Sequence, residues 1–411
     1  MRTLILSFAF LVVASMLAAG QIKITVEAGG FDRTDCVVSV ELSGNDLGKS
    51  TTLDLFEITG KKEKPVPSQL VLQENNLLRL YWILNGETKA GEKRTFVIKQ
   101  GKKKTPALAS MSVKDTQKAL ILEKNGKGIL QYNYAHVDPP EGVDKSYGRS
   151  GFIHPAYSPD GNILTTIQPK DHYHHYGIWN PWTQVMYDGK MYDLWNLNLK
   201  QGTVRAKAIE TTFVGEVFAG FAATLDHAIF QPEGELVIMN ERWTINAWNV
   251  SDGFLWDFKS DLYPSATLPV LIKEYRYAGF GYRATEEWTK ENCEMLTSEG
   301  NTRQQIDGTT ARWIFITGDT KTGRSGLLFL GHPDNYNFPE PLRIWDEAAN
   351  GNRGDAFINF APTKNKDWEL KPEHHYQLQY RVLSYEGAMT KEKADRLWND
   401  FAYPPTVTIN P

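Results

Sequence analysis

Apolar and polar positions along this chain alternate with a period of two far more often than with a period near 3.6, which predicts strands rather than helices. Ile22-Lys23-Ile24-Thr25-Val26 alternates, and Val37 to Leu42 does so in part. Leu78 to Leu84 is a third apolar run, closed by the turn pair Asn85-Gly86, and Arg94 to Ile98 is a fourth. Short strands divided by turn signals predict a small β-sandwich of Ig-like type over residues 21–105. The polar stretch from Lys99 to Thr105, ending at Pro106, reads as a linker.

The pattern starts again beyond it. Ala119 to Leu122 and Ile129 to Tyr132 flank Asn125-Gly126-Lys127-Gly128, a hairpin signature. Further runs cover Gly202 to Lys207, Phe213 to Phe221, Glu235 to Ile245, Phe254 to Leu262, Ala311 to Thr317, Ser325 to Leu330 and Tyr376 to Val382. So many strands over residues 106–411 predict a large antiparallel sandwich, and the whole chain an all-β protein of two domains. One segment has clear helical spacing: Ala394, Leu397, Trp398 and Phe401 fall at i, i+3, i+4 and i+7, and Pro404-Pro405 stops it. A shorter helix is expected after Thr285, with Glu286 and Glu287 in its first turn.

Composition sets the compartment. Arg2, the apolar run Leu4 to Leu17 and the small residues Ala18-Ala19-Gly20 make residues 1–20 a signal peptide cleaved before Gln21, so the expected location is periplasmic or secreted. Cleavage moves the formal charge from -4 to -5, a mixed, mildly acidic balance that does not fit nucleic-acid binding. No later stretch is long and apolar enough for a membrane helix. Cys36 and Cys293 fall in different expected domains, so free thiols and a bridge are equal expectations. Aromatics make up 12% of the chain and include 12 tryptophans, which fits a β-rich protein with aromatic-lined grooves.

The candidate chemistry gathers in Asp171-His172-Tyr173-His174-His175-Tyr176-Gly177-Ile178-Trp179-Asn180-Pro181-Trp182, where three of the nine histidines occupy four positions. Neutral imidazole carries protons and binds metals near pH 7, and indole faces suit sugar rings. If the segment is extended, His172 and His174 share a face; if it is a loop, all three converge. Asp171, His172, His174 and His175 are the expected catalytic groups, with His227 and Glu241 as partners, although Glu241-Arg242 also reads as a strand-end ion pair. Substrate contacts are expected from His154, Trp179, Trp182, His332 and the loop residues Asn350 and Arg353. Asp257 and Lys259 alternate with Trp256 and Phe258, so they form either a solvated face or the polar floor of a cleft, with Trp256 and Phe258 in the core. Gly148-Arg149-Ser150-Gly151 before His154 and Gly323-Arg324-Ser325-Gly326 before His332 mark either an internal duplication or two loops that bring histidines to one end of the sheets. No cofactor is expected; the alternative is a divalent metal on His172 and His174. Walker A, Gly-x-Gly-x-x-Gly and Gly-x-Ser-x-Gly motifs are absent.

Ser150-Gly151-Phe152-Ile153-His154-Pro155, Ser158-Pro159-Asp160-Gly161 and the histidine segment resemble a bacterial family labelled "methane oxygenase PmoA" over roughly residues 108–403. The resemblance implies an exported setting of carbohydrate degradation. The membrane copper chemistry of the label is excluded, because a spanning subunit needs long apolar helices. The tandem β pattern is also similar to the galactose-mutarotase-like supersandwich. That likeness implies a histidine acid, His174 or His172, and a glutamate base, with Glu241 and Glu347 as candidates. The expectation is therefore an exported protein acting on a small carbohydrate by acid–base chemistry of epimerase, lyase or hydrolase type; a metal-dependent enzyme and a non-catalytic glycan binder are the alternatives.

Overall fold

A computed structural model of the chain describes residues 21–43, 53–73, 77–101 and 110–410. The leader read at 1–20 and most of the linker read at 99–105 lie outside these residues. The protein is all-β, built from antiparallel sheets, as the period-two pattern predicts.

The N-terminal part is a sandwich. A five-stranded sheet in the order Thr406–Asn410, Ile22–Glu27, Lys93–Gln100, Leu53–Thr59, Lys62–Val66 faces a three-stranded sheet of Arg33–Leu42, Leu78–Thr88 and Ser68–Leu72. Ile24, Val26, Val38, Leu80, Trp82 and Phe96 fill the space between them. The last strand of the chain, read by sequence with the larger domain, therefore pairs with the first described one. Asn85-Gly86 does not turn; the strand Leu78–Thr88 runs through it. Asp35 of the partner strand, at φ 49°, stands alone opposite Asn85 and Gly86, and its carboxylate accepts the Gly86 amide at 2.8 Å. The pair thus marks a β-bulge.

The larger part packs two eight-stranded sheets around one core. The long-stranded sheet runs Gly202–Phe213, Phe218–Gln231, Gly234–Trp248, Phe254–Pro264, Tyr376–Glu386, Gly323–Gly331, Trp313–Thr320, Cys293–Thr297. The short-stranded sheet runs Leu342–Ile344, Phe357–Phe360, Gly281–Arg283, Ile178–Trp179, Phe152–Ala156, Lys127–Asn133, Ala119–Lys124, Met111–Asp115. Tyr132, Phe221, Trp243, Phe258, Phe280 and Tyr380 interlock between them. The hairpin at Asn125-Gly126 forms as read, with both residues at positive φ. Trp256 and Phe258 are fully buried, as their alternation predicts.

The helix Lys391–Ala402 also forms, and Trp398 and Ala394 press it onto the outer face of the long-stranded sheet. The helix expected after Thr285 does not. The Trp288 amide donates to the Thr285 carbonyl at 3.2 Å, and the chain turns there to bury the Trp288 ring. Cys36 and Cys293 are buried free thiols. Among the described residues no helix is long and apolar enough to cross a membrane.

Candidate active site

The histidine segment is a tight turn. The chain leaves the short-stranded sheet after Ile167, which bridges to Tyr176 across the excursion. The His172 amide donates to Pro169 O at 2.8 Å, the His175 amide to His172 O at 2.9 Å, and the Gln168 amide to His175 O at 2.8 Å. Three imidazoles therefore converge, rather than alternating across a strand. Ring centroids are 5.7 Å apart for His172–His174, 5.0 Å for His172–His175 and 4.7 Å for His174–His175. Gly177 closes the turn at φ 59°, where a Cβ would lie 2.3 Å from Ile153 O.

Aromatic walls hold the rings. His175 is buried against Trp179, Trp345 and Phe357, with centroids at 5.2 to 5.3 Å. His172 lies 4.7 Å from Trp345. The Trp345 indole donates to the Tyr277 hydroxyl at 3.1 Å. The buried Asp193 carboxylate accepts the Trp195 and Asn196 amides, each at 2.8 Å, and so fixes a further wall. The rings enclose a hollow of about 220 Å³ lined by the three histidines, Trp195, Tyr277 and Trp345, with Thr183, Asn196, Tyr275 and Arg276 at its edge.

A chain of charges backs the histidines. Asp171 Oδ1 sits 3.1 Å from His172 Nδ1, and Arg353 donates to Asp171 at 2.6 Å. Arg353 also meets Asp355 at 3.0 Å, and Asp355 takes Arg283 at 2.5 Å and Asn350 at 3.1 Å. The buried Arg283 guanidinium lies 4.7 Å above the Trp345 ring. Arg303 pins the loop from behind by donating to Trp345 O, Gly354 O and Asp355 O. Burial opposes ionisation of Asp171, but the hydrogen bond from Arg353 and the adjacent His172 ring outweigh it and hold the carboxyl at about 2. Burial, and then the charge near His172 and Arg283, brings His174 down to about 4. Burial depresses His175 as well, reinforced by His174 and Arg283. Burial thus favours the neutral form of both rings, in which His174 keeps one N–H to donate.

Several expected partners lie elsewhere. Trp182 is fully buried in the main core against Trp368, and Trp179, in the central strand Ile178–Trp179, is fully buried behind His175 and does not line the hollow. Glu241 is not a strand-end ion pair. It is sealed inside the sandwich, bonded to His227 Nε2 at 2.9 Å, to Asn180 Nδ2 at 2.6 Å and to the Ser260 hydroxyl at 2.5 Å. Glu347 accepts from Gln304 at 2.7 Å and does not line the hollow. His154 bonds Thr165 Oγ1 at 2.9 Å, and burial holds it at about 4. His332 packs edge-on against Phe401 of the C-terminal helix, so the two Gly-Arg-Ser-Gly loops do not bring their histidines to one place. Asp257 and Lys259 line a separate groove on the outer face of the long-stranded sheet. Asn350 and Arg353 do reach the site, but they bond the carboxylates that support it rather than standing open. Among the described residues no three His, Cys, Asp or Glu side chains are grouped to hold a metal ion.

Sequence reasoning missed Arg283, Asp355, Tyr277 and Trp345. Trp345 stands just before the loop that carries Asn350 and Arg353, so proximity was a usable signal. Arg283, in an ordinary strand run Gly-Tyr-Arg, carried none.

Comparison with known proteins gives a sequence profile and a set of folds. The profile of a family of unknown function (DUF6807) matches residues 119–399, more than half of the chain. No curated protein matches it. Among solved structures, the chain is similar to an alpha-mannosidase from Enterococcus faecalis V583, with 10% identity and a TM-score of 0.45 over 95% of this chain. It spans about half the length of that protein, 46%. It is also similar to a galactose mutarotase-like protein from Lactobacillus casei ATCC 334, with 10% identity and a TM-score of 0.34, covering 67% of this chain and 100% of that one. A putative aldose 1-epimerase from Escherichia coli K12 gives 9% identity and a TM-score of 0.34, covering 67% and 98%.

Proposed function

This chain belongs to the DUF6807 family, and we propose that it is an exported carbohydrate-active protein that binds one polar ring in the histidine hollow and moves a proton on it. Export rests on Arg2 and the apolar run Leu4 to Leu17. A single observation carries the rest: three imidazoles converge on a 220 Å³ hollow walled by Trp195, Tyr277 and Trp345. That volume lies below the ~300 Å³ at which sites for drug-sized ligands begin, so it suits one ring rather than a chain.

In this reading His172 is the catalytic residue. Its Nδ1 faces Asp171, which leaves Nε2 to meet the ligand. Taking a proton from a ring carbon or hydroxyl makes an imidazolium, and the ionised Asp171 stabilises that charge across 3.1 Å. Arg353 is a positioning residue, since it fixes the Asp171 oxygen that faces away from the ligand. Neutral His174 offers a hydrogen bond to a ligand hydroxyl, and the indole faces bind the apolar side of the ring. At the rim, the guanidinium of Arg276 stacks 5.2 Å from the Tyr277 ring and is placed to meet a ligand oxygen.

The test is proton exchange and turnover followed by NMR in deuterated buffer, with aldoses, uronates and their methyl glycosides as probes. His172→Gln is expected to lower kcat at least about 100-fold with KM nearly unchanged, and Asp171→Asn to do the same more weakly. Ligand binding without exchange or turnover in the wild-type protein would reduce the site to a binding pocket. Absence of both binding and turnover across the panel would end the proposal.

A further inference from the structure

A second hollow is more than three times the volume of the histidine site. A groove of about 720 Å³ runs between the edge of the N-terminal sandwich and the outer face of the long-stranded sheet. The two share no lining residue. On the floor, Arg242, Thr244 and Asn246 alternate with the buried Trp243, Ile245 and Ala247. Asn246 stands opposite Asp257, Thr244 opposite Lys259, and Lys259 opposite Gln379, so the floor is a continuous polar patch across three strands. The roof comes from Val71, Arg79 and Tyr81. It is fixed in place by Gln69, whose Oε1 accepts the Val217 and Phe218 amides at 3.3 and 3.1 Å.

A polar outer sheet face ordinarily meets bulk water, and a face covered by another element ordinarily turns apolar and packs. Here the face stays polar under a roof that does not close on it. One end of the groove is aromatic: Tyr81 lies 5.8 Å from Trp248 and 5.3 Å from Phe218, and Phe213 lies 5.8 Å from Phe218. Asn246, which lines the groove, has its Oδ1 buried over Gly220 of the neighbouring strand without a hydrogen-bond partner among the described residues. The arginines around the groove are matched: Arg242 donates to Glu210 at 2.6 Å, Arg79 pairs with Glu41, and Arg381 donates to Asp257 at 2.6 and 2.9 Å. Phe218 and Trp248 belong to the buried cluster that seats the sandwich on the sheet, and Tyr81 and Phe213 are the half-buried rings that line the groove. Ring faces beside amides and hydroxyls suit a carbohydrate, matched arginines suit an uncharged one, and a volume more than three times that of the histidine hollow suits several rings.

We propose that this groove is a second binding site, which holds a neutral, extended oligosaccharide and stands apart from the histidine site. The proposal does not depend on any turnover at His172. It is tested on the mature protein with four probes, the linear tetrasaccharides of β-1,4-glucose, α-1,4-glucose, β-1,4-mannose and β-1,4-xylose. Binding is read by isothermal titration and by quenching of tryptophan fluorescence. At least one probe should bind, Asn246→Ala should weaken it about tenfold, and Thr211→Trp, which fills the groove from its exposed edge, should abolish it. His172→Gln should leave it unchanged. Far-UV circular dichroism and the melting midpoint check that each variant folds, and Thr211→Trp decides the matter if Asn246→Ala does not. The proposal is overturned if no tetrasaccharide binds, if binding survives Thr211→Trp, or if it disappears in His172→Gln.

Discussion

At the scale of single residues, burial favours the neutral form of two imidazoles, His174 in the hollow and His154 outside it. His174 and His154 both titrate at about 4, against an ordinary value near 6.5, because burial penalises their charged forms. Between those values the unfolded chain binds protons that the folded chain does not, so stability is fully present above 6.5 and falls as the pH drops towards 4. Each ring contributes a loss of at most about 3 kcal/mol across that window. Urea denaturation of the wild-type protein at pH 7 and pH 4.5 should show the decline, and His174→Gln or His154→Gln should each make it shallower. Equal slopes for all three proteins would mean that the rings reach water when protonated. Asp171 acts with the opposite charge but the same sign: its carboxyl is held at about 2, so its contribution is present above the ordinary carboxylate range and fades only as the pH falls through that value.

At the scale of elements, the turn that carries the histidines depends on Gly177. Its φ of 59° disfavours any other residue, and a Cβ would meet Ile153 O at 2.3 Å and His154 Cβ at 3.0 Å. Gly177→Ala should therefore cost about 1–3 kcal/mol and displace His172 and His175 from the hollow. The check is a lowered melting midpoint together with loss of the stabilisation given by whichever ring ligand binds the wild-type protein. Full retention of that ligand-induced shift would show that the turn tolerates the change. How much could be read beforehand follows from the same geometry. Alternation set the strands and the faces of Trp256, Phe258 and Lys259, because those depend on neighbours along the chain. The i, i+3, i+4 spacing set the C-terminal helix for the same reason. The convergence of the histidines was legible only as one of two conformations. Arg283, Trp345 and Tyr277 reach them across sheet pairings that no local pattern encodes, such as Tyr282 opposite both Ile178 and Ile358. Glu241 misled because a strand-end charge and a charge sealed between sheets look alike until the other sheet is present.

At the scale of the whole molecule, the first and last described strands are joined, and one buried arginine strengthens the joint. Arg33 starts a strand of the N-terminal sandwich. Its guanidinium donates to Asp400 at 3.0 Å, to Asn399 O at 3.1 Å and to Tyr403 O at 2.7 Å, and its Nε donates to Ala28 O at 2.9 Å. The positive head caps the C-terminal end of the helix Lys391–Ala402, where free carbonyls carry partial negative charge. From there the chain enters Thr406–Asn410, which completes the five-stranded sheet beside Ile22–Glu27. Asp400 is buried too, and burial pulls its carboxyl upward while Arg33 pulls it down. Removing the arginine alone leaves that carboxyl with only the longer Arg396 contact at 3.5 Å, and breaking a buried pair in this way costs up to about 3–5 kcal/mol. Replacing both partners by apolar side chains removes the uncompensated group and should recover part of the loss. Calorimetry of Arg33→Leu should thus show a lower midpoint or a separate early transition for the N-terminal sandwich, and Arg33→Leu with Asp400→Leu should sit between that variant and the wild type. Because the sandwich also roofs the groove, tetrasaccharide binding should fall in Arg33→Leu while ring binding at His172 persists. An unchanged midpoint in Arg33→Leu would mean that the strand Thr406–Asn410 holds the two halves together without the arginine.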